Sequence, residues 1–143
     1  MDLIQNKNIS PTALKAIEAY GGVALWENYN SIQAVVSVKG LAFSLKQRPF
    51  FSHVTVTIDP NAITAKIFPI GKSKSICGVL ENDSVRLVDE KGTFINERKH
   101  PRTYFPFGRR LFYWDDLDMT YFANYAFWNY FCLPKLLMKY YSL

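Results

Sequence analysis

A chain of 143 residues, 49% hydrophobic and 20% charged, has the composition of one folded domain and excludes a disordered or low-complexity protein. Its net charge is +5, and the segment Lys91–Arg110 alone holds six cations against the single acid Glu97. A basic patch of that kind attracts phosphates, nucleic acid or an anionic lipid surface, although a solvated loop face explains it as simply.

Residues 1–9 read as a loose lead-in with no apolar core of a signal peptide, so the expected location is cytoplasmic. Residues 10–30 read as helical. Ser10 caps, Pro11 occupies the first turn, and Ala13, Leu14, Ala16, Ile17 and Tyr20 form one apolar face that Gly21-Gly22 ends. A shorter helical turn is expected around Ala24, Leu25 and Trp26.

From Ser31 the period changes to two, and residues 31–97 read as a β-meander. Ile32, Ala34, Val36 and Val38 alternate with polar or exposed positions; Gly40 interrupts; Leu41, Phe43 and Leu45 form the next extended piece. Further strands are expected at His53–Asp59, Ile63–Phe68, Ile76–Leu80, Val85–Val88 and Thr93–Asn96. Short turns such as Asp59-Pro60-Asn61 and Glu81-Asn82-Asp83 join them. No crossover helix lies between them, which excludes a parallel sheet and predicts six or seven antiparallel strands with one buried face.

Residues 98–113, with Pro101, Pro106 and Gly108, read as an irregular loop. Residues 114–143 read as helical. In Trp114–Leu133 three acids, Asp115, Asp116 and Asp118, precede an almost continuous aromatic run. Carboxylates at a helix start offset its free N–H groups, and Pro134 marks a stop or kink. With apolar residues all the way round, this helix is expected to be buried on most sides. Its apolar part, roughly fifteen residues against about twenty, is too short to span a bilayer. The only apolar filler large enough for the concave side of the sheet is this helix.

Chemistry is sparse. Gly71-Lys72-Ser73 lacks the earlier glycine of a phosphate loop, because that position is Lys66. Cys77 and Cys132 stand in no metal or redox spacing, and His53 and His100 have no neighbouring ligand at metal spacing. No cofactor or metal is expected. Asn8-Ile9-Ser10 and Asn82-Asp83-Ser84 match a glycosylation pattern that has no meaning without export.

The succession Ala13-Leu14, Ala16, Tyr20-Gly21-Gly22, Trp26 and Ser31, then the meander, then Trp114-Asp115-Asp116-Leu117, Tyr121-Phe122-Ala123-Asn124-Tyr125-Ala126, Trp128 and Tyr130, resembles an uncharacterised bacterial protein family. That family is distantly similar to the outer-membrane lipoprotein carrier and sorting proteins. The resemblance runs from about Thr12 to Leu137 and implies an α+β fold: an open half-barrel of curved antiparallel sheet with helices in its concave face. In the carriers that hollow takes acyl chains. Set against that family, the chain reads as one without an export signal and as the N-terminal part of the half-barrel, so an open strand edge and self-association are expected.

These readings converge on a non-enzymatic protein that binds a lipid or other hydrophobic molecule in an apolar hollow lined by Leu41, Phe43, Trp114, Tyr121, Tyr125 and Trp128. One alternative is an interaction module that buries an open sheet edge on a partner. Another is a hydrolase-type enzyme using His53 or His100 with the acids Asp115–Asp118. Nucleic acid is not an expected partner.

Overall fold

The computed structural model describes residues 9–105 and 108–140, with the side chains of Arg109 and Tyr140 left aside. Six strands form one antiparallel meander in sequence order: β1 Ile32–Val38, β2 Phe51–Asp59, β3 Thr64–Phe68, β4 Ile76–Glu81, β5 Ser84–Asp89 and β6 Phe94–Lys99. The helices are α1 Pro11–Ala19, α2 Val23–Asn28, α3 Leu41–Leu45, α4 Asp116–Phe131 and α5 Leu133–Tyr140. The sheet is curved and does not close into a barrel, and α4 packs on its concave face, as the α+β half-barrel expectation required. Among the described residues no helix is long and apolar enough to cross a membrane.

The strand register explains the inner face. Ile32, Ile58, Ala65, Leu80 and Val85 lie opposite one another across five strands, and Ala34, Val56, Ile67, Gly78 and Leu87 form the next row. Most of these side chains are fully buried, because in a pleated strand every second residue faces the same side. Leu117, Met119, Ala123 and Trp128 of α4 complete this core. At its centre the helix comes so close that a Cβ at Gly78 would collide with the Thr120 hydroxyl. The buried Asn124 beside it donates Nδ2–H to the Gly78 carbonyl at 3.2 Å. A smaller core joins α1, α2 and α5 through Ile17, Trp26 and Met138.

One expectation is corrected. Leu41, Phe43 and Leu45 are not an extended piece; they form α3, inside the long connection from Val38 to its partner Phe51. A five-residue alternation fits a helical turn as well as a strand. Here the turn sends Phe43 inward to the Phe50 and Phe51 rings, at 5.8 and 5.1 Å, while Leu41 stays 73% exposed. The helix α4 is buried or half-buried on most sides, as its all-round apolar pattern predicts. Only Phe122, Tyr125 and Tyr130 are exposed, along one outer strip, because the helix meets β2, β3, β4 and β5 and also the Pro101–Tyr104 turn and α5. The break expected at Pro134 does occur: α4 ends at the Cys132 cap and a separate α5 starts at Leu133. The loop after β6 contains two short 3-10 turns, Pro101–Tyr104 and Gly108–Leu111. The expected lead-in at 1–9 lies outside the described residues apart from Ile9.

Candidate functional site

The acids of the α4 start are held by arginines. Asp115 is the N-cap, and its Oδ1 accepts the Asp118 backbone N–H at 2.8 Å; the Asp118 side chain in turn accepts the Asp115 N–H at 3.2 Å, completing a capping box. Arg98 shares the inner face because its β6 position lies opposite Val85. Its guanidinium grips Asp115 with both terminal nitrogens, at 2.9 and 2.6 Å, and reaches Asp118 Oδ1 at 2.6 Å. Arg110 donates Nε–H to the same Asp118 oxygen at 2.8 Å, and the Tyr104 ring lies under both arginines at 5.2 and 5.0 Å. Asp116 pairs with Arg48, which also donates to the Trp114 carbonyl at 3.2 Å.

Burial alone would raise the Asp115 carboxyl, but the Arg98 bonds and the Asp118 N–H outweigh it and bring it to about 2. All three acids therefore have a structural role, and two cations of the basic segment, Arg98 and Arg110, are turned inward to meet them. The sequence reading found the helix-capping acids and missed their partners. The only signal was an excess of arginine in the preceding loop.

The two histidines lie elsewhere. His100, in a left-handed conformation after β6, pairs with Asp83 on an exposed turn. His53 stands beside the Ser52 hydroxyl at 3.2 Å, and its backbone N–H donates to Ser37 Oγ at 2.9 Å. Among the described residues no cluster of metal-ligating side chains occurs.

Of the six residues expected to line one hollow, Trp128 lies in the main core and Phe43, Trp114 and Tyr121 pack partly buried against it, whereas Leu41 and Tyr125 are exposed. Leu41 and Phe43 belong to α3. Trp114, Tyr121 and Tyr125 also join an aromatic cluster with Phe105, which lies 5.4 Å from Trp114 and 5.5 Å from Tyr121, and Tyr121 stacks on Tyr125 at 5.6 Å. Trp128 is buried, and its indole N–H is shared between the Asp59 and Ala62 carbonyls at 2.9 and 2.7 Å.

Trp128 also floors a groove of about 710 Å³ between the β2–β3 turn and α5. Pro60, Ala62, Ile63, Leu136 and Met138 supply its apolar walls, and Glu27, Asn61, Asn82, Lys135 and Lys139 its polar rim. Two features hold it open. Trp128 ties the turn to α4, and Lys135 donates its ammonium to the Trp26 carbonyl at 2.9 Å, which fixes α5 against α2. The groove has the size and mixed lining of a small-molecule site.

A second, more open concavity of about 640 Å³ lies on the outer face of the sheet around Phe68, Cys77, Val79 and Val88. Burial raises the Cys77 thiol, with Lys66 opposing, and Cys132 is pushed by burial to about 11. Both thiols stay protonated near neutral pH and are weak nucleophiles.

No family model, no curated protein and no solved structure matches this chain.

Proposed function

We propose that the chain binds a lipid or other hydrophobic molecule in the Trp128 groove, without catalysing a reaction on it. The reading is carried by the pairing of an apolar floor, Trp128, Ile63, Leu136 and Met138, with a rim that includes Lys135 and Lys139. An amphipathic ligand places its chain on the floor and an anionic head at the lysines. The concave face itself is filled by α4, so the ligand lies at the end of the helix rather than beneath it. A relationship to the lipoprotein carriers belongs to the same proposal: one open half-barrel, with the acyl site moved to the helix end.

Native mass spectrometry of the protein purified from its host, followed by titration with a fluorescent fatty acid, tests the proposal. The expected result is a co-purified amphiphile and saturable binding that quenches tryptophan emission and is abolished by Leu136→Lys. A protein that carries no ligand and binds no probe refutes it.

A second reading rests on β6. This strand is a sheet edge on which Phe94 is 62% and Ile95 46% exposed, and an open edge of that kind is a template for another strand. On this reading the chain self-associates through β6. Light scattering then gives a dimer that Phe94→Lys converts to monomer, and a wild-type monomer removes the reading.

A further inference from the structure

The end of the molecule opposite the groove carries a different surface. No acid occurs between Glu27 and Asp59, between Asp59 and Glu81, or between Glu97 and Asp115. The fold brings one stretch of each acid-free segment together. The Lys46 carbonyl accepts the Trp114 N–H at 3.2 Å, and the Lys46 ammonium donates to the Arg110 and Leu111 carbonyls at 3.2 and 2.5 Å. Phe50 lines one small groove with Lys72 and Lys74. Gly71 lies so close to Asp116 that a Cβ there would collide with the carboxylate. The acids at this end are the three at the α4 start, each of which already carries an arginine, and Asp89 and Glu90 of the β5–β6 turn, which the register sets beside the start of β4; the lysines outnumber these last two. Lys39, Lys46, Lys72 and Lys74 therefore give this end a net positive charge.

Large apolar side chains stand among these cations. Leu41 is 73% exposed, Phe112 72%, Leu45 60%, Leu111 54% and Phe50 51%. Leu41 and Leu45 are four residues apart on α3 and share a face. Leu45 adjoins Lys46, whose ammonium is bonded at Leu111. The α3 turn and the 111–112 segment thus present one apolar rim with lysines beside it. The Trp128 groove is separated from this rim by the length of β2, Phe51 to Asp59, about 27 Å at the usual strand rise.

We propose that this end docks on an anionic lipid bilayer, its leucines and phenylalanines entering the headgroup region and its lysines facing the lipid phosphates. Apolar insertion combined with basic charge is the physical basis of interfacial membrane binding. Nucleic acid fits less well. Leucines offer no face for base stacking, while the arginines best suited to phosphate, Arg48, Arg98 and Arg110, are occupied by aspartates. The inference does not depend on the groove, because neither surface shares a residue with the other.

Vesicle flotation with the full chain tests it. One set of vesicles is phosphatidylcholine alone; the other contains about a third phosphatidylglycerol, which supplies the negative surface potential. The chain is expected to float with the anionic vesicles, less so as salt rises. Leu41→Ser with Phe112→Ser, and separately Lys72→Glu with Lys74→Glu, should each lower the bound fraction by about tenfold. Both pairs change exposed side chains, so their thermal melts should match the parent. Tyr130→Ser, at the other end of α4 and 75% exposed, should leave flotation unchanged. No flotation, flotation that neither pair weakens, or equal loss with Tyr130→Ser would each overturn the proposal. So would tight binding to single-stranded RNA that the lysine pair abolishes in a chain that does not float.

Discussion

Trp128 offers the most informative single perturbation, because its ring and its N–H have separate roles that two substitutions divide. The ring is 8% exposed and packs in the main core; the N–H is shared between the Asp59 and Ala62 carbonyls. Trp128→Ala empties the site and should cost about 3–5 kcal/mol. Trp128→Phe keeps most of the buried area and loses the donor. Ala62 is exposed and Asp59 half-buried, so water can take over much of that bonding and the loss should be about 0.5–1.5 kcal/mol. Against a total stability of about 5–15 kcal/mol for a domain, the first change removes a large fraction and the second a small one. Urea melts followed by circular dichroism read both, with an unchanged slope confirming that the midpoint shift reports stability. A cost below about 1 kcal/mol for Trp128→Ala would mean that the ring is not part of the core. Equal costs for Ala and Phe would mean that the hydrogen bonds, not the packing, anchor α4 to the β2–β3 turn.

Arg98→Met leaves the buried Asp118 with Arg110 as its one remaining arginine and should cost about 3–5 kcal/mol in the same melt; a neutral result would make the arginine cluster incidental. The Asp115 carboxyl, lowered from 3.8 to about 2 in the fold, stabilises the protein fully above its unfolded value. That contribution should fade as pH falls from 3.8 towards 2, and Asp115→Asn should flatten this part of the stability–pH curve. Gly78→Ala drives a methyl into Thr120 and should cost about 1–3 kcal/mol; Thr120→Ala should recover part of the loss, and additive costs would show that the two do not touch. Of the two thiols, half-buried Cys77 should react slowly with a disulfide reagent at mildly alkaline pH, and buried Cys132 only after denaturant is added; fast labelling of Cys132 would contradict its burial.

Much of the fold was legible in the residues because the signals were local. Alternation along His53–Asp59 and Val85–Val88 marks strands whose neighbours in space are their neighbours in sequence, so a meander follows from short turns alone. Asp115 before an aromatic run marks the α4 start because a cap acts within three residues. What the residues one by one left undecided was long-range. The alternation of Leu41, Phe43 and Leu45 suits a strand or a helical turn, and only the twelve-residue gap between the paired positions Val38 and Phe51 selects the turn. Arg98 reads as a solvated loop cation until β6 places it opposite Val85 and beneath the α4 acids. The aromatic run gives no single apolar face, so the side of α4 that meets the sheet was settled by Gly78, the one position in its row small enough to admit Thr120 and Asn124. The Trp128 groove and the acid-free rim each combine segments far apart in the chain. Charge and apolarity add up on a surface only after the backbone has brought those segments together, and that is a property of the tertiary structure.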